Sequence, residues 1–194
     1  MPKNRLEAFS DGVLAIIITI MVLEMKVPHG DNLAALQPLL PVFFSYVLSF
    51  IYLGIYWNNH HHLLHTVRHV TGGVLWANLH LLFWLSLLPF VTGFMGENHF
   101  ASLPAALYGG VLMMAGVAYW ILTIVIIRAD GAGSVLARAV GKDTKGKLSV
   151  VFYAVAILRA LFVSQWIAEV IYVCVALMWL VPDRRIERVV NHEK

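Results

Sequence analysis

Charge is scarce in this sequence. Only 13% of its 194 residues are Asp, Glu, Lys or Arg, while 60% are hydrophobic and the mean hydropathy is +0.76. That balance excludes an ordinary soluble domain and any disordered class. Cysteine is nearly absent. The one thiol, Cys174, lies in an apolar run, so no disulfide framework forms within one chain and the residue reads as packing. A cleavage site is missing as well: the first apolar run leads into Glu24-Met25-Lys26-Val27-Pro28, not into small residues, and reads as a retained helix. No tandem repeat of the whole unit is found.

What remains is apolar sequence, and the question is how often it crosses a bilayer. A crossing takes about 20 mostly apolar residues. Six stretches meet or approach that length, roughly 8–27, 37–57, 73–95, 104–127, 148–164 and 166–182. They predict an all-α integral membrane protein in which residues 1–194 form a single six-helix domain, with no room for a globular enzyme and no need of a cofactor. The last two are short and meet at Ser164-Gln165, as a packed hairpin would. With six crossings, Lys3, Arg5, Arg68, Arg128, Arg138, Lys142, Lys145, Lys147, Arg184, Arg185, Arg188 and Lys194 share one side. Lys26, Asp31 and Glu97 take the other. The positive-inside rule then makes both termini cytoplasmic. The basic excess is thereby a topology signal, and nucleic acid is not an expected partner; membrane lipid is.

The first helix carries the strongest functional signal. Arg5, Ser10 and Asp11 crowd its start, and an almost unbroken apolar run follows, with Thr19 in its middle. A carboxylate at the start of a spanning helix needs partners or water. Ile16, Ile20 and Leu23 fall at i, i+4 and i+7, on one face. A polar entrance followed by such a stripe reads as a pore helix with a hydrophobic gate. Since nearly all of the helix is apolar, the stripe also reads as lipid-facing or packing surface. A pore along it requires symmetric copies, because one helix cannot enclose an axis.

The pattern Arg5-x-x-x-Phe9-Ser10-Asp11, then Ala15-Ile16, Thr19 and Val22-Leu23-Glu24, resembles the first helix of the transmembrane protein 175 family. These are the endolysosomal potassium channels and their bacterial relatives. Trp57-Asn58-Asn59-His60-His61 and the stretch Asn78 to Phe90 extend the likeness. The resemblance implies a homotetramer whose first helices line a central pore. It makes Ile16 the deepest constriction residue and Thr19 a hydroxyl linked to potassium preference. It implies passive conduction of potassium and other monovalent cations across a prokaryotic inner membrane; the family's animal members carry two such units and this chain one. A hydrophobic constriction gates by excluding water and has no carbonyl ring to replace a hydration shell, so selectivity is expected to be moderate. Glu24 at the outer mouth either concentrates cations or pairs with Lys26.

Other polar groups have competing readings. His61/His65 and His65/His69 have metal-ligand spacing, yet a multi-histidine oxygenase centre needs further boxes and only His80 lies in a neighbouring span. The plain alternative is a helix end at the interface. A third reading joins Asn58, His61, Asn78 and His80 in a network that satisfies Ser10 and Asp11; Arg5, Ser10 and Asp11 then hold the helix start, as the resemblance also implies. Against it stands an Asp11 that simply faces water. Arg159 and Glu169, about equally far from the hairpin turn, read as an intramembrane ion pair or as the coupling site of a secondary transporter. Transporters typically show internal repeats and broken helices, and neither is evident. An integral-membrane metalloenzyme is the remaining alternative.

Overall fold

The computed structural model describes residues 2–131, 133–140 and 143–180, and among these every regular element is helical. Helix α1 (Lys3–Met21) tightens into a 3₁₀ turn over Val22–Glu24. A 3₁₀ stretch, Leu33–Leu39, leads into α2 (Leu40–His65). Then come α3 (Gly72–Ser86), α4 (Leu88–Glu97) and α5 (Ser102–Asp130). A short α6 (Val135–Val140) precedes the hairpin of α7 (Thr144–Phe162) and α8 (Gln165–Leu180).

Among the described residues, four segments are long and apolar enough to cross a membrane: Lys3–Glu24, Leu33–His65, Gly72–Glu97 and Ser102–Asp130. The expected fifth and sixth spans fall on α7, which opens with Lys145 and Lys147, and on α8, which is apolar but has 16 residues. Residues 181–182 of the last expected span, and the expected cytoplasmic charges Lys142, Arg184, Arg185, Arg188 and Lys194, lie outside the described residues.

Three boundaries differ from the sequence reading for identifiable reasons. The second helix runs on through the histidines to His65, because nothing in that polar run breaks a helix. The third span is interrupted at Leu87. Pro89 has no N–H to give the carbonyl four residues back, so the chain closes one helix with Leu87 N donating to Trp84 O at 3.3 Å and starts the next with Val91 N donating to Leu87 O at 3.1 Å. Between the fourth and fifth expected spans the chain forms a further short helix, α6.

Side-chain ties sort the helix ends into two groups. At one, Lys3 Nζ donates to His65 O (2.6 Å), and Lys145 Nζ to Met178 O (3.4 Å). There too Asp130 accepts the backbone N–H of Arg68 and of His69, each at 3.0 Å. At the other, Lys26 pairs with Glu97 at 3.2 Å and Phe100 meets Trp166. The core between them contains buried hydroxyls that bond only within the protein, as an interior without water demands. Ser49 meets Thr92 (2.6 Å) and Tyr108 (3.0 Å), Tyr52 donates to Tyr172 O, and Tyr172 donates to Ala105 O.

Helices α2 and α4 approach closely at Gly96, where a Cβ would lie 2.5 Å from Ser45 Oγ and 2.6 Å from Val42 Cα. Gly96→Ala is therefore expected to lower thermal stability in detergent by about 1–3 kcal/mol, the usual cost of overpacking. Gly54→Ala, where a Cβ meets nothing within 4 Å, should leave the melting curve in place.

Candidate functional site

Helix α1 has two unlike sides. Leu6, Ser10, Leu14, Ile17 and Met21 are buried, at spacings of four, four, three and four residues, against α2, α3 and α4. The other side is bare: Phe9, Ile16 and Leu23, seven residues apart, are 49%, 58% and 76% exposed. Ile20 and Thr19 are exposed with them. Branched apolar residues turned outward in one register face either lipid or another copy of the chain. The expected stripe Ile16, Ile20, Leu23 thus falls on the unpartnered side. Thr19 Oγ1 donates back to Ala15 O and Ile16 O, both at 3.0 Å. Its proton is spent on the helix, and its lone pairs are left for the open side.

The buried side is fixed by a directional chain of hydrogen bonds. Leu6 O can only accept, so Ser10 Oγ donates to it (2.9 Å). The Ser10 oxygen then accepts Asn78 Nδ2 (3.0 Å), which leaves Asn78 Oδ1 to accept His60 Nε2–H at 2.7 Å. Ser10, Asn78 and His60 are 0%, 0% and 1% exposed, so α1, α3 and α2 meet through three buried side chains. One turn along, Trp57 Nε1 donates to Asp11 Oδ1 at 3.0 Å, and Asp11 is partly buried rather than facing open water.

This clasp uses the expected Ser10, Asp11 and Asn78 but differs in its other members. His60 takes the place expected for His61; His61 instead stacks on Trp57 and meets His65 edge-on at 5.2 Å. His80 stands apart, accepting Trp84 Nε1–H through Nε2 at 3.0 Å, which puts its own proton on Nδ1. Asn58 is half-buried and not part of the chain, and Arg5 is exposed and bonded to neither Ser10 nor Asp11. Trp57 was not foreseen, although its place two residues before Asn59 at a polar helix end suited an indole donor. Among the described residues, no group of three or more His, Cys, Asp or Glu is placed to hold a metal.

The two remaining expectations are corrected. Arg159 is exposed and makes no ion pair with Glu169 among the described residues; Glu169 Oε1 is buried without a hydrogen-bond partner. Equal distance from a turn does not put two side chains on facing sides, and these point apart. Glu24 does not pair with Lys26, which takes Glu97. Glu24 instead lies over Gly93, in a groove of about 640 Å³ between α1 and α4 that Ile16, Ile20 and Phe90 also line.

Comparison with known proteins adds to this geometry. A family model described as "Endosomal/lysosomal potassium channel TMEM175" matches residues 5–89, the stretch that contains most of α1 and the whole clasp. A potassium channel of Chryseobacterium sp. (strain P1-3) is 57% identical over 188 residues, 97% of this chain and 97% of that protein. A potassium channel of Streptomyces collinus is 35% identical over 62% of this chain and 65% of its own length. The endosomal/lysosomal proton channel TMEM175 of Homo sapiens is 39% identical over 37% of this chain and 16% of its own length. The crystal structure of a lysosomal potassium-selective channel TMEM175 homolog from Chamaesiphon minutus superposes with a TM-score of 0.80 at 25% identity, over 93% of this chain and 97% of that one.

Proposed function

This chain belongs to the family of the endosomal/lysosomal potassium channel TMEM175, and from that premise we propose that it is a potassium-preferring cation channel. The family is one of ion channels, not enzymes, and the chain is a multi-pass membrane protein. Four copies assemble with their α1 helices around an axis, each chain crosses the prokaryotic inner membrane six times, and both termini are cytoplasmic. Ions pass down the axis without a coupled partner.

The observation that carries this reading is the outward register of α1. Phe9, Ile16 and Leu23 are exposed on a helix whose opposite edge is clasped by buried side-chain hydrogen bonds. Copies of that face around an axis account for both sides at once. The groove beside Ile16 and Ile20 is then where a neighbouring copy packs. In this arrangement Ile16, Ile20 and Leu23 make rings of branched side chains that exclude water when narrow. Thr19, with its lone pairs unspent, sits between them as the one polar ring and contributes the preference for potassium. Glu24, which makes no ion pair among the described residues, stands at the outer mouth and raises the local cation concentration.

Potassium, not the proton, is taken as the permeant ion because the potassium channel from Chryseobacterium matches nearly the whole chain, whereas the human proton channel matches about a third of it. The test is a planar-bilayer recording of the purified protein under opposed potassium and sodium gradients. Unitary currents reversing towards the potassium potential are expected. Transport that is slow, saturable and driven by a proton or sodium gradient would overturn the proposal.

A further inference from the structure

A second concave site lies away from the proposed pore, and no residue of α1 lines it. It is a cavity of about 330 Å³ between α2, α5 and α7. Its cause is aromatic. Tyr56 of α2 and Tyr119 of α5 meet edge to face, with ring centres 6.5 Å apart. Tyr119 also donates to Asn59 O (3.1 Å) and Tyr56 to Leu112 O (3.4 Å). Two rings standing between two helices prop them apart, and the space beside the rings is left unfilled. Gly116 enlarges it: a Cβ there would meet only Tyr56 Oη at 3.8 Å and Val150 Cγ2 at 4.0 Å. Val150 and Tyr153 of α7 close the third side.

The body of the cavity is apolar, but its rim at the α7 start is charged. Asp143, Lys147, Ser149 and Trp179 line that rim. Most of these groups are already engaged. Asp143 Oδ1 accepts Gly146 N–H at 2.9 Å, capping α7. Trp179 Nε1 donates to Ser149 Oγ at 2.8 Å, and Lys145 lies over the Trp179 ring and donates to Met178 O. Lys147 is exposed and makes no ion pair among the described residues. One unspent cation therefore stands at the mouth of an apolar slot that lies among the membrane helices. The cavity is near the lower end of the roughly 300–1,000 Å³ usual for small-molecule sites, which suits one alkyl chain and not a whole two-chain lipid.

We propose that this cavity, with Lys147 at its mouth and Gly116 in its wall, binds a single-chain anionic amphiphile of the long-chain fatty-acid class. The carboxylate meets Lys147, and the chain runs inward past Gly116 and Val150 between the tyrosine rings. Charge decides the headgroup and volume decides the number of chains. The site requires nothing of the conduction proposal, and its test does not measure current.

The purified full-length protein, in a neutral maltoside detergent, is titrated with 9,10-dibromostearate while tryptophan fluorescence is followed. Trp120 and Trp179 line the cavity, so bromines in it quench them. A saturable component near one equivalent per chain is expected. Gly116→Leu should abolish it by filling the slot, and Lys147→Gln should weaken it about tenfold by removing a charge-assisted contact. A brominated alkyltrimethylammonium of the same length should show no saturable component. Where Gly116→Leu fails to fold, Trp120→Phe with Trp179→Phe decides, since these keep the bulk and remove the reporters. Saturable quenching that survives Gly116→Leu or the paired tryptophan replacement, or a cationic probe that binds as well, would overturn the site.

Discussion

Ile16→Ala is expected to raise the unitary potassium current several-fold, with the largest effect of any substitution on the open side of α1. The side chain is 58% exposed on that side, in register with Phe9 and Leu23, and the proposed assembly brings four copies to one level. Each replacement removes three carbons, so the ring loses twelve. Water enters a wider and less apolar constriction more readily, and a permeating ion keeps more of its hydration shell. A tenfold change in rate corresponds to only about 1.4 kcal/mol of barrier, a small share of what four side chains govern together. Leu23→Ala should act in the same direction but less, because Leu23 stands in the 3₁₀ turn at the end of the helix. The control is one residue away. Ile17 is 5% exposed on the clasped side, so Ile17→Ala should cost about 2–5 kcal/mol of stability and leave single-channel conductance unchanged. Equal currents for Ile16→Ala and the unaltered protein would remove Ile16 from the narrow point. Thr19→Val separates selectivity from size, being nearly the same volume without the oxygen. Reversal potentials should shift towards the sodium side with conductance little changed.

These residues were legible in the sequence to different degrees, for physical reasons. Four long apolar helices follow from hydropathy alone, because a membrane span is specified by composition over some 20 residues. The break in the third span was not foreseen: Pro89 was visible, but a missing backbone donor does not by itself say how the chain closes around it. The face of α1 was harder. A helix that is apolar all round has no moment to read, and Ile16 and Ile17 look alike until their neighbours are known. On α2 the imidazole of the clasp was missed by one residue for the same reason. Trp57-Asn58-Asn59-His60-His61-His62 covers every side of its helix, so periodicity could not choose between His60 and His61. Only the buried series Leu53, His60 and Leu64 on α2, facing Asn78 of α3, settles which imidazole points inward. The supposed Arg159–Glu169 pair failed because sequence distance from a turn fixes depth but not azimuth.

The clasp makes the second large prediction. Asn78→Leu is expected to lower the thermal stability of the purified protein by about 1–3 kcal/mol, the cost of stranding one buried polar group. Asn78 is the middle member of the chain and satisfies its neighbours in opposite senses. Its amide nitrogen fills a lone pair of Ser10, and its oxygen takes the His60 proton. Ser10 tolerates the loss, since its own proton remains on Leu6 O. His60 does not: an imidazole N–H 1% exposed in a dry helix junction is left facing a leucine. The cost therefore falls on His60, and that yields a sharper test than the single substitution. His60→Leu in the Asn78→Leu background removes the stranded donor and should recover part of the lost stability, although two polar partners are then gone instead of one. Additive losses in the double-mutant cycle would mean that the two side chains are not coupled. The same cycle bears on function. Ser10, held against α3, helps to fix the outward register of α1, so Asn78→Leu protein that still assembles should show unstable, flickering currents. The double substitution should be steadier, because its apolar junction grips α1 by packing where the single replacement leaves an unsatisfied group beside it.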